Sequence, residues 1–142
     1  MSGTTQYVVA SASEVETLSD HAWPLEQWRG CYGFKFFGPD ELGHLSGLIR
    51  HGTGSFEDFP ELAFGRHAWV YAMPDDLVAA IAEADDGVLS RWATAWSERI
   101  AAAQLGHKTP DELLELLRNL RTLVAEAGAS DRAIYLWHSL AA

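Results

Sequence analysis

The stretch Thr109-Pro-Asp-Glu-Leu-Leu-Glu-Leu-Leu-Arg-Asn-Leu-Arg-Thr-Leu-Val-Ala-Glu-Ala-Gly128 decides how the rest of the chain is read. Its opening has the chemistry of a helix start. Thr109 is a hydroxyl N-cap, Pro110 stands where a missing N–H costs nothing, and Glu112 is placed to reach back to the cap amide. Leu113, Leu116, Leu117, Leu120, Leu123, Val124 and Ala127 then recur at helical spacing, so one face is continuously apolar and must be covered. Gly128 is the expected stop. The same start returns at Pro39-Asp-Glu-Leu42 and Pro74-Asp-Asp-Leu77, each after an apolar run of strand type.

Working outward, Gln6 to Ala12 has the β-branched and aromatic content of a strand. Ser13 and Glu16 have capping-box spacing for a short helix with Val15 and Leu18 inward. Trp28 to Phe37 alternates, with Trp28, Tyr32, Phe34 and Phe36 on one side and Arg29, Cys31, Lys35 and Phe37 on the other. Gly30 and Gly33 within it signal a bulge or a close backbone approach. A helix over 39–51 puts Leu42, Leu45 and Ile49 inward and Asp40, His44, Gly47 and His51 outward, whereas 52–66 lacks a clean period and reads as a long loop. His67 to Met73 is the next strand, followed by helices over 75–84 and 87–105. The second of these carries a stripe of Val88, Trp92, Trp96, Ile100 and Ala103 with Leu89 and Ala93 beside it, and Arg132 to His138 reads as a last strand. The expected order is β-α-β-α-β-α-α-α-β: a mixed α+β fold with about four strands in a mixed sheet, largely parallel, packed by four to five helices.

A chain of 142 residues with 48% hydrophobic content suits one globular domain, 1–142, with a core that needs no staples. Its one cysteine, Cys31, excludes an internal disulfide. The first residues have neither a basic start nor an apolar h-region, and no apolar run approaches the roughly 18 to 20 residues that cross a bilayer, so a cytoplasmic protein away from membranes is expected. The formal net charge is −10 and it is unevenly spread: residues 39–86 hold ten acids against two bases, Arg50 and Arg66. Such a field repels phosphate backbones, which argues against nucleic acid, and speeds association with a basic partner. Acids at helix starts also complement the helix dipole.

Catalytic and ligand-binding patterns are sparse. Gly52-Thr-Gly-Ser55 has no lysine after it and is no phosphate loop. The six histidines lack H-x-x-x-H spacing, and His44, His51 and Asp40 share a helix face that lies opposite the leucines and reads as solvated. No metal, cofactor or catalytic residue is expected. Adjacent acids on a helix diverge and make no acid–base couple. Cys31, with His67 or His138 as base, is the one constellation that suits an enzyme, against its ordinary fate as a small packed hydrophobe. Tyr32, Trp69, Tyr71, Tyr135 and Trp137 fall on strands, where they either fill the core or line a binding surface.

Trp92-Ala-Thr-Ala-Trp96 after the acidic Ala84-Asp-Asp86 turn, then the leucine helix, then Ile134-Tyr-Leu-Trp137 resembles small uncharacterised bacterial domains. Some proteins of this size and organisation are immunity proteins of interbacterial toxin systems, which bind and block a cognate toxin. The resemblance implies a cytosolic, non-enzymatic inhibitor and carries over no active-site residue. Together with the charge distribution it points to a basic protein partner held by Phe56, Glu57, Asp58, Phe59 and Glu61 of the loop, and by Asp75, Asp76, Asp85 and Asp86. Charge would steer encounter, and Phe56 or Phe59 would anchor a pocket inside a polar rim. The alternative is a small enzyme or ligand-binding domain with a pocket of sheet aromatics and histidines.

Overall fold

The computed structural model describes residues 3–35, 37–50 and 59–139. Its ten principal elements are β1 (Thr4–Ala10), α1 (Val15–Asp20), β2 (Gly30–Lys35), α2 (Pro39–Arg50), β3 (Glu61–Phe64), β4 (Trp69–Ala72), α3 (Asp75–Glu83), α4 (Asp86–Ala102), α5 (Pro110–Ala129) and β5 (Ala133–Ser139). Short 3₁₀ turns at Ala12–Glu14 and Pro24–Glu26 complete the path from β1 to β2. The mixed α+β class is as expected. Among the described residues the sheet differs from expectation in having five strands, ordered β2-β1-β5-β4-β3, and in pairing every neighbour antiparallel.

The connections set the context of the pairing. Between β1 and β2 the chain has only the six-residue α1, about 9 Å long, and two 3₁₀ turns, against about 23 Å for the seven-residue β1. The chain does not cross back over the sheet here: β2 starts where β1 finishes, with Val8 opposite Gly30. The fifth strand, β3, lies in the segment read as a loop, and only the turn at residues 65–68 separates it from β4, which forces an antiparallel hairpin. Turn residues are held by the end of α1: Arg66 N donates to Asp20 Oδ1 at 2.7 Å, and His67 N and Ala68 N donate to Ser19 O at 3.0 and 3.1 Å. The last strand then enters the middle of the sheet, between β1 and β4.

Both sheet faces are covered. On one, Tyr7, Val9, Tyr71, Ile134 and Leu136 pack against α2 to α5. On the other, Val8, Ala10, Val70, Tyr135 and Trp137 pack against Val15 and Leu18 of α1, with Leu25 and Trp28 beside them. Tyr71, Tyr135 and Trp137 are therefore core residues. Trp137 Nε1 donates to Leu18 O across the second core at 3.1 Å.

All seven apolar positions read along α5 are buried, and Thr109 and Glu112 form the expected capping box. Gly128 does not end the helix, which runs to Ala129. Asp131, at φ 56°, makes the left-handed turn instead. The first capping box is Ser11 with Glu14, two residues earlier than expected. In α4 the inward stripe is Leu89, Ala93, Trp96 and Ile100, one position round from the expected one, with Trp92 half-buried and Ala103 exposed. Gly47 of α2, assigned to the solvated face, is buried, as is Gly43. Trp96 Nε1 donates to Glu41 O at 2.8 Å, tying α4 to α2. Phe36, His51 and residues 52–58 of the expected loop lie outside the described residues. No helix among the described residues is long and apolar enough to cross a membrane.

Candidate functional site

Of the seven acids expected to face a partner, five are among the described residues, and three of these are engaged within the fold. Asp85 caps α4, accepting from Val88 N at 2.9 Å. Asp86 Oδ1 accepts from Arg121 Nη2 at 2.7 Å and lies 3.8 Å from Arg118 Nε, and the Arg121 hydrogen bond lowers its pKa. Asp76 Oδ2 accepts from Arg50 Nε at 2.9 Å. Among the described residues Glu61 and Asp75 make no ion pair, and both are exposed. Phe56, Glu57 and Asp58 lie outside the described residues.

Of the two expected anchors, Phe56 and Phe59, the second is corrected by the structure. Phe59 is 3% exposed and belongs to the helix-side core. Pro60 follows with its carbonyl accepting from Ala72 N at 2.8 Å, which ties this end of the segment to β4. The exposed apolar groups come just afterwards, on β3: Leu62 is 47% and Phe64 67% exposed. Phe64 lies against Trp69 of β4, with ring centroids 4.8 Å apart. Since β3 is the last strand of the sheet among the described residues, one side of its backbone N–H and C=O groups has no described strand beside it. Nearby, Glu61 pairs with Tyr71, and β4 leads within three residues of Ala72 to Asp75.

The enzyme constellation is not assembled. Cys31 is on edge strand β2, opposite Tyr7, while His67 is in the β3–β4 turn at the other edge. Burial pushes the Cys31 thiol up to about 12, which keeps it protonated at neutral pH. His138, on β5, is opposite Thr5, and its Nδ1 lies 2.9 Å from Thr5 Oγ1. Thr5 Oγ1 donates to Phe37 O at 2.6 Å, so its proton is committed and the imidazole Nδ1–H is the donor in the second bond. Burial lowers the His138 pKa. Among the described residues no group of three or more His, Cys, Asp or Glu side chains is gathered to hold a metal ion.

A cavity of about 250 Å³ opens between β2 and α5, lined by Tyr32, Phe34, Glu112, Glu115, Leu116 and Asn119. Sequence reasoning passed over it because its walls lie some 80 residues apart; Glu115 and Asn119 read only as the outer face of an amphipathic helix. Tyr32, 41% exposed, stacks on Trp23 at 5.9 Å. Phe34 has a φ of 86°, rare for a residue with a side chain, and carries the Lys108 ammonium 4.5 Å from its ring centroid. Compared with known proteins, the chain matches no family model, no curated protein and no solved structure.

Proposed function

We propose that this chain is a non-enzymatic, cytoplasmic binding protein of the immunity type, which occludes a basic toxin or effector protein, and that β3 is its docking edge. The observation that carries the reading is the exposure of Leu62 and Phe64 on an open edge strand. Exposed apolar edges invite pairing with other chains, and an edge kept apolar suits strand addition by a partner. Preorganisation supports the same reading. The Ser19 and Asp20 bonds hold the hairpin turn before any partner arrives, so little ordering remains to be done on binding. Glu61, at the start of the same strand, supplies negative charge near the apolar pair, in a molecule of net charge −10. A basic partner is the complement: its charge is drawn in, and an apolar residue of its docking strand packs on Phe64 and Trp69.

The test is paired capture from native lysate, at low and moderate salt, with the wild type and with Phe64→Asp. Phe64 is mostly solvent-exposed, so the substitution spares the core. The expected outcome is one stoichiometric basic protein, retained by the wild type, lost by the variant and toxic when expressed without this chain. A partner held equally by both proteins contradicts docking at β3, and a captured protein that is acidic contradicts the electrostatic premise.

A further inference from the structure

We infer that the cavity between β2 and α5, at the edge of the sheet opposite β3, is a binding site for an aliphatic organic cation, an alkyl-guanidinium or alkyl-ammonium. At about 250 Å³ it is smaller than the sites that take drug-sized ligands and suits a group the size of one long side chain. Its walls define the chemistry. Tyr32 and Phe34 offer aromatic rings, Leu116 is apolar, and Glu112 and Glu115 add carboxylates with the Asn119 amide between turns. An anion would meet two carboxylates. A neutral apolar ligand would strip water from them without replacing its hydrogen bonds. A cation on an alkyl stem satisfies the rings and the carboxylates together.

The fold already places a cation on this wall, since the Lys108 ammonium lies over Phe34. The positive φ of Phe34 aims that ring away from the regular strand direction, and such backbone outliers concentrate at binding sites. Glu112 is fixed in place: its Oε1 accepts from Thr109 N and Thr109 Oγ1, both at 3.1 Å. The Thr109 backbone bond, first among several causes, lowers its pKa, so it stays ionised into acid solution. Lys108 is the chain's own occupant of the Phe34 face, and an incoming cation works against its charge.

The experiment is a heteronuclear NMR titration of the full chain with agmatine, with N-pentylurea as the neutral counterpart, and with an end-blocked Gly-Arg-Gly peptide. Saturable shifts confined to residues 31–34 and 112–119 are expected for agmatine, with dissociation constants at or below about 1 mM, and none for the urea. Glu115→Gln, on an exposed helix position, should weaken binding about five- to tenfold, and Lys108→Met should tighten it. Peptide binding as tight as agmatine's identifies a protein side chain as the source of the cation, and agmatine binding alone identifies a free small molecule. Shifts that do not saturate by about 10 mM, equal shifts with the urea, or an affinity unchanged in Glu115→Gln overturn the proposal.

Discussion

Buried polar atoms without partners report what a fold tolerates at single residues. The Tyr7 hydroxyl, fully buried against the helices, is one: among the described residues it has no hydrogen-bond partner, and burial, with smaller contributions from Cys31 and Glu41, raises its pKa well above the ordinary value. Leaving such a group unpaired costs about 1–3 kcal/mol, so Tyr7→Phe, which keeps the ring and removes the orphan, should leave the protein as stable or make it more so. Thermal unfolding of the two proteins decides it, and a clear loss would mean that the hydroxyl has a partner in solution. His138 acts through pH. Its folded pKa is depressed by burial, so below the unfolded value of about 6.5 the unfolded chain binds a proton that the native state does not. Stability conferred by the neutral ring is complete above that value and is lost as pH falls through the folded pKa. The melting temperature of the wild type should therefore drop more between pH 7.5 and pH 5 than that of His138→Gln.

The elements divide into those whose periodicity was enough and those decided by tertiary packing. Helix α5 was readable to the residue on its buried face because its apolar stripe is unbroken and its cap is spelled out by Thr109, Pro110 and Glu112. The α4 stripe was one position out because Trp92 and Trp96 both fit the spacing, and only the packing of α2 against α4 selects Trp96 as the fully buried one. That choice is testable. Trp96→Phe removes the donor to Glu41 O at a site with no exposure, and should cost about 1–3 kcal/mol through the lost hydrogen bond and lost volume, whereas Trp92→Phe should cost less; equal costs would place the stripe where the spacing alone put it. Gly30 and Gly33 did carry a signal. A Cβ at Gly30 would overlap Tyr7 O, and one at Gly33 the Tyr7 ring, so both mark close approach to β1. Strand β3 had no such signal. Its four residues give no period, and its pairing depends on α1 pinning the turn 46 residues away in sequence. Of the two expected anchors, Phe56 lies outside the described residues and Phe59 was misplaced for the same reason: Phe59 and Phe64 look alike in sequence, but one faces the core and the other solvent.

For the whole molecule, the surplus of acid is smaller at the surface than the count over residues 39–86 suggests, because Asp76, Asp85 and Asp86 are satisfied by Arg50, a helix N-terminus and two arginines of α5. Long-range steering depends on total charge as well as on local pairs, and a net charge of −10 still favours encounter with a basic body. Glu61→Lys combined with Asp75→Lys should slow association with a basic partner and flatten its dependence on ionic strength, while dissociation changes less. Stopped-flow mixing at two salt concentrations reads both quantities. The edge strand itself is tested most directly by amide hydrogen exchange of the full chain, alone and bound to the captured basic protein. Strand addition at β3 predicts that the Leu62 and Phe64 region becomes protected on binding, while the opposite edge, β2, exchanges as before. Exchange at residues 61–64 that is the same with and without the partner would contradict the account.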